Sequence, residues 1–353
     1  MSNVLVTGGA GFIGSFIVDA LIKEGHAVRI LDNLEHSIHG GKVPTYLNGQ
    51  AEFQKGDVTD AADVEKALDN IDVVFHEAAL VGIEPSMKDP KKFMNTNSLG
   101  TANLLSLLIR KNFGVKKVIV PSTVGIYGEG DYSCQKCGTI ASEFRKAQQL
   151  KKSLWEAACP KCNSEMVPVR VKESKPVSIS NVYSLSKFDQ EVLCQSVGRS
   201  YGIPVVALRY FNVYGPRQSS INPYSGVITK FVGNALEGKP MIMFEDGGQT
   251  RDFISVHDIA RANLLAMKSS KGDFKSFNVG TGKGTSIRKI AETIKDASKS
   301  SSEIVVSGKY REGDIRHCTA DGTFIEKTLG FRAQMDLKEG LGEVVEWYRK
   351  GAG

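Results

Sequence analysis

The chain has 353 residues, 41% hydrophobic and 24% charged, enough to bury one large core or two joined ones. A net charge of +6 is too small for a nucleic-acid signature, and the apolar runs are strand-sized, short of the roughly eighteen residues that span a bilayer. Six cysteines without a secreted framework, and a strand that starts directly after Met1-Ser2-Asn3, predict a cytoplasmic protein with neither nucleic acid nor membrane as partner.

Residues 4–7 predict a short buried strand, followed by Gly8-Gly9-Ala10-Gly11-Phe12-Ile13-Gly14 and a helical pattern to about residue 24. Strand, glycine-rich turn and helix are the context in which such a motif binds a pyrophosphate. Gly8 permits the tight turn, Gly11 lets the backbone approach the anion, and Gly14 lets helix and strand pack closely. Phe12 and Ile13 open the helix whose N-terminus faces that anion. The spacing is one residue longer than the common dinucleotide version.

A second strand over 27–31 ends at Asp32-Asn33, eighteen residues after Gly14. An acid there fits a hydrogen bond to a ribose 2′-OH and favours NAD over NADP, although the pair is also good turn chemistry. Strand 51–55 ends at Asp57-Val58, and after a helix over 61–68, strand 72–75 ends at His76-Glu77-Ala78-Ala79. A helix over 90–111, carrying Asn97, and a strand over 117–120 follow. Strict alternation predicts a Rossmann-type, doubly wound parallel α/β sheet with ligands at the strands' carboxyl ends.

The strand over 117–120 leads into Pro121-Ser122-Thr123-Val124-Gly125. Beyond it, Cys134-x-x-Cys137 and Cys159-x-x-Cys162 are separated by twenty-one residues. Paired knuckles of this kind predict a structural Cys₄ zinc site, all thiolate and with no open position. The segment 139–158 between them has helical composition. The insertion 131–176 holds nine Lys/Arg against five Asp/Glu, which describes a solvated basic face.

Tyr183 and Lys187 lie four apart on the next helix and share one face. A free phenol, with a pKa of about 10, is a poor base at neutral pH. A nearby ammonium and a cationic oxidised nicotinamide would favour the phenolate, making it able to take a proton from a sugar hydroxyl. Cys194 and Cys318 read as ordinary buried cysteines, and His257 as a structural partner.

Gly8-x-x-Gly11-x-x-Gly14, Asp32, Asp57-Val58, Ala78-Ala79, Asn97, Thr123, Tyr183 and Lys187 together resemble the extended short-chain dehydrogenase/reductase family over nearly the whole chain. The resemblance implies that Asp57 and Val58 flank the adenine and that Asn97 supports the site. It implies Tyr183 as catalytic acid/base, Thr123 as the hydroxyl that holds the reacting sugar oxygen, and Lys187 on the nicotinamide ribose. Glu77 stands where the family usually carries an apolar residue and is expected to point outward. Sugar 4,6-dehydratases of the family carry Asp-Glu after the hydroxyl residue; Val124-Gly125 here argues against dehydration.

The same resemblance implies substrate contacts from Asn212, from Arg251 toward the diphosphate and from Arg316 toward the nucleotide. Within the family, the zinc insertion and the runs 209–218, 244–258 and 313–318 are most similar to dTDP-L-rhamnose 4-epimerases. That implies tightly bound NAD and a dTDP-L-rhamnose/dTDP-6-deoxy-L-talose pair, with UDP-glucose/UDP-galactose as the alternative. A reductase that releases its product and a non-catalytic scaffold are the other readings. The resemblance also implies a homodimer formed through the Tyr183 helix and the helix near residues 97–111. The expected organisation is an NAD-binding region over 1–130, continued by 177–210 and 252–281. The zinc insertion occupies 131–176, and 211–251 with 282–353 forms the nucleotide-sugar region.

Overall fold

The computed structural model describes residues 1–111, 113–141, 145–219 and 226–351. Its centre is a seven-stranded sheet. β1 (Asn3–Thr7), β2 (Ala27–Asp32), β3 (Glu52–Lys55), β4 (Val73–His76) and β5 (Lys117–Thr123) are joined by strands Val205–Tyr210 and Lys275–Val279. The spatial order is Lys275–Val279, Val205–Tyr210, β5, β4, β1, β2, β3. Every neighbouring pair is parallel, so all the carboxyl ends lie along one edge. The order reverses between β1 and β4, which opens a crevice at that edge.

Both faces of the sheet are covered, which is why β1 and β5 read as continuous apolar runs. Helices Phe12–Lys23 and Val256–Lys268 pack one face through Ile17, Leu21, Ile259 and Ala262. Helices Ala61–Ala67, Gly100–Arg110 and Val182–Tyr201 pack the other through Val64, Leu104, Leu108 and Cys194.

The continuous helix expected over 90–111 is divided. Pro90–Phe93 and Gly100–Arg110 are α-helical, and Met94–Leu99 between them is a π-helical turn. The wide turn carries Asn97 into the interior, where it binds other elements, a common use of such a bulge. β5 also runs on past residue 120 to Thr123, because its polar end remains in the ladder.

Strands flank the segment 139–158, whose composition predicted helix. Strands Gly138–Ala141, Asp131–Cys134 and Val167–Val169 form an antiparallel sheet in that spatial order. The one helix described between them is the short Ala147–Lys151.

Helices Val227–Leu236, Ile287–Ser298 and Leu337–Arg349 surround a separate core containing Phe231, Val232, Ile290, Ile294 and Leu341. The polar run 295–302 is thus partly helical, its break coming at Lys299 in the left-handed conformation. Among the described residues, no helix is long and apolar enough to cross a membrane.

Candidate active site

The glycine-rich turn is pressed between two backbones. Gly8 has φ +68°, and a Cβ on it would lie 2.7 Å from the Ala78 nitrogen; one on Gly14 would lie 2.3 Å from the Gly8 oxygen. Neither position admits a side chain. Asp32 ties this turn to β2 by accepting from the backbone N–H of Ala10 at 3.0 Å and Leu34 at 2.9 Å. Burial raises its carboxyl above the usual carboxylate range. Asn33 donates to Asp57 at 2.8 Å, and Val58 is buried beside Gly100. The side chains of Phe12 and Ile13 pack on the core, leaving their part of the motif to backbone groups.

Helix Phe12–Lys23 begins at Gly11 with no side-chain cap and no acid in its first turn. Its first N–H groups and positive dipole end are therefore open to an anion, and with the Gly8–Gly14 cradle and Asp32 they fit a dinucleotide. Ala78, donating to Thr7 Oγ1 at 3.2 Å, and Ala79 form the opposing wall at the end of β4.

Thr123 ends β5, and its Oγ1 accepts from Gly125 N–H at 3.1 Å. Asn181 caps helix Val182–Tyr201 by accepting from Ser184 N–H at 2.8 Å, while Tyr183 N–H donates to Ser86 Oγ at 3.0 Å. These anchors set the start of the Tyr183 helix against the end of β5, where Thr123 acts on the phenol. Burial raises the phenol's pKa, and Thr123 opposes that rise. Lys187 is 3% exposed and donates to Gln190 Oε1 at 2.6 Å. Burial pushes its ammonium down to about 8 against the pull of Glu77. The free protein thus holds a neutral phenol beside a weakened ammonium. An added cation at the site would favour the phenolate.

Glu77 corrects an expectation. It points inward and accepts from the Tyr210 hydroxyl at 3.0 Å; burial pushes its carboxyl up to about 7.

Asn97 uses its amide within the protein. It accepts from Leu80 N–H at 2.8 Å and donates to Leu80 O at 3.1 Å and Ser186 Oγ at 2.8 Å. It braces the loop after β4 against the Tyr183 helix.

The expected substrate residues fare differently. Asn212 has a buried Oδ1 without a protein partner, suited to a ligand donor. Arg251 pairs with Asp314 at 3.1 Å and donates to the carbonyl of Thr250. Arg316, expected at the nucleotide, is instead 2% exposed, its guanidinium engaged by Glu156, Glu245 and Asp246. Once all its donors are occupied, a phosphate gains nothing from it directly.

The acids around Arg316 escaped sequence reading. Arg145 in the insertion makes a bidentate pair with Glu245 at 2.8 and 2.9 Å, and Glu156 accepts from His317 Nε2 at 3.0 Å. Such pairs, a hundred or more residues apart, carry no local pattern.

The Sγ atoms of Cys134, Cys137, Cys159 and Cys162 all lie within 4.8 Å of one another, with Cys134 and Cys162 at 3.5 Å. A tetrahedral ion with metal–sulfur bonds of about 2.3 Å needs sulfurs about 3.8 Å apart, so the four thiols fit zinc. Cys194 and Cys318 are buried, and His257 pairs with Glu343 at 3.0 Å.

Residues 4–280 match the model of the NAD dependent epimerase/dehydratase family. The chain belongs to that family. It is 33% identical to the dTDP-L-rhamnose 4-epimerase of Burkholderia thailandensis, over 98% of this chain and 94% of the relative. Among solved structures it resembles the UDP-glucose 4-epimerase of Thermotoga maritima with UDP-glucose, at TM-score 0.82 and 34% identity over 99% of this chain and 100% of that one. The Thermus thermophilus UDP-glucose 4-epimerase in complex with NAD matches at TM-score 0.78 and 31% identity, over 98% of this chain and 99% of that one.

Proposed function

We propose that the protein is an NAD-dependent nucleotide-sugar 4-epimerase acting on dTDP-L-rhamnose and dTDP-6-deoxy-L-talose. The observation that carries this reading is Thr123 at the end of β5 and Tyr183 in the first turn of helix Val182–Tyr201, with Lys187 one turn on, at the carboxyl edge beside the dinucleotide cradle.

Gly8, Gly11, Gly14 and Asp32 hold the cofactor, Asp57 and Val58 border its adenine end, and Lys187 takes the nicotinamide ribose. Bound there, NAD supplies a hydride acceptor, a donor once reduced, and a cationic ring in its oxidised form. Thr123 orients the sugar C4 oxygen, and Tyr183 removes its proton as the C4 hydride leaves. The 4-keto sugar turns in the site, and Tyr183 returns the proton when hydride adds to the other face. Asn212 and Arg251 hold the nucleotide diphosphate; Arg316 supports that wall from behind. Elimination of water is disfavoured: a Cβ on Gly125 would meet Ser184 Oγ at 2.4 Å, leaving little room for an acid there.

Similarity to the Burkholderia enzyme supports the rhamnose substrate. The Thermotoga complex supports UDP-glucose as a second reading. Zinc in the Cys₄ cluster braces the insertion. Leu99, Ile109, Leu185 and Val192 expose large apolar surface on the helices of the expected dimer face, which favours a homodimer.

Proton NMR of the purified protein with dTDP-L-rhamnose and no added NAD tests the reading. A new anomeric signal growing to a fixed ratio supports it. Conversion of UDP-galactose alone selects the second substrate, and inertness toward both rejects the activity.

A further inference from the structure

Tyr183, Lys187 and Gln190 fall on one stripe of helix Val182–Tyr201, at spacings of four and three. Lys187 Nζ donates to Gln190 Oε1 at 2.6 Å, and Gln190 Nε2 donates to Thr101 Oγ1 at 2.9 Å. The one hydrogen of the Thr101 hydroxyl goes to the carbonyl of Asn97 at 2.6 Å. Toward His76 Nε2, at 2.9 Å, Thr101 can therefore only accept, which makes Nε2 the protonated ring nitrogen. Burial keeps the imidazole neutral, driving its pKa down to about 3, so Nδ1 is an acceptor. It takes the hydrogen of Thr7 Oγ1 at 2.9 Å, and Thr7 in turn accepts from Ala78 N–H at 3.2 Å. Every link has one direction. Thr7, His76, Thr101 and Gln190 are each at most 1% exposed, so the links are made within the protein and not to water.

The residue type at 190 follows from its two ends. An ammonium only donates, so this side chain must accept from Lys187; Thr101 has no hydrogen left, so it must also donate to Thr101. A glutamine amide does both and carries no charge. The neighbouring acid, Glu191, is committed to Arg209 at 2.7 and 3.1 Å.

We infer that Gln190 is a positioning residue: its amide fixes the Lys187 ammonium and ties it, through Thr101 and His76, to Thr7, the residue before Gly8. A neutral acceptor holds the ammonium without cancelling its charge. That the ammonium serves a nicotinamide ribose rests on the epimerase reading; the hydrogen-bonded chain stands without it.

The test uses the holoenzyme with ¹⁵N-labelled lysine and histidine side chains, the Lys187 ammonium signal assigned by its loss in Lys187→Arg. Gln190→Met keeps the volume and removes the amide, so exchange of the ammonium hydrogens with water should quicken about tenfold. Gln190→Glu restores the acceptor but not the donor, and should return that exchange to its slow rate. Unchanged exchange in Gln190→Met, or fast exchange in both variants, overturns the positioning. If neither variant folds, the wild-type His76 ring, assigned by its contacts with Thr7 and Thr101, still decides. Protonation at Nε2 is expected, and protonation at Nδ1 alone overturns the chain. In parallel, Gln190→Met should lower kcat about tenfold and leave the KM for the sugar in place. Faster exchange with unchanged kcat overturns the consequence for turnover. Absence of turnover in wild type, with exchange still responding to Gln190→Met, points to failure of the epimerase reading and leaves the positioning intact.

Discussion

The carboxyl edge of the sheet and the junction of the cysteine lobe fix their side chains by opposite means. At the edge, close backbone contacts do the work: Gly8 against Ala78, Gly14 against Gly8, Asn97 against Leu80. At the junction, charge does it, with Arg145, Glu156, Glu245, Asp246 and Arg316 in one network. Steric contacts tolerate salt and pH, whereas ion pairs respond to both. The first region is built for chemistry that must keep its geometry. The second couples the lobe to the segment carrying Arg251, and its strength depends on every partner being present.

Tyr183→Phe should separate the two regions most sharply. Loss of the acid/base should lower kcat about 10²–10⁴-fold while thermal stability and bound NAD persist, as turnover and cofactor release would report. Glu245→Gln should do the reverse. Arg145 and Glu245 are 2% and 3% exposed at their side chains, so breaking the pair should cost about 3–5 kcal/mol in urea denaturation. An unchanged midpoint would deny the junction its structural weight.

Metal removal should act locally. Elemental analysis should find one zinc per chain, lost in Cys159→Ser, after which limited proteolysis should cut within 131–176 while NAD stays bound. The smallest effect is the acid response of Glu156, held down at about 2 chiefly by its bond from His317, against an ordinary 4.5. A depressed carboxyl stabilises above the unfolded value, so this contribution should fade as pH falls from about 4.5 toward 2. Glu156→Gln should flatten that part of the melting-temperature profile.

The same contrast decides what the sequence reveals. Close backbone approach demands glycine at fixed spacing, so Gly8, Gly14 and the parallel sheet were legible, as were Tyr183 and Lys187 at helical spacing. The paired C-x-x-C knuckles showed where four sulfurs would meet. Arg316 was recognised as an arginine but not by its partners, since Glu156 and Glu245 lie 160 and 71 residues away. Glu77 was misjudged because its partner, the Tyr210 hydroxyl, lies 133 residues away and leaves no local pattern. The lobe's three-stranded sheet was not read because its strands, three or four residues each, are too short for a periodic pattern.

The central claim is transient oxidation at C4 with hydride returned to the same carbon. Incubating the protein with dTDP-L-rhamnose deuterated at C4, in ordinary water, tests it directly by NMR and mass spectrometry. The account predicts a 4-epimer that keeps its deuterium at C4. A 4-epimer carrying hydrogen there would mean inversion by proton exchange with solvent, and would contradict it.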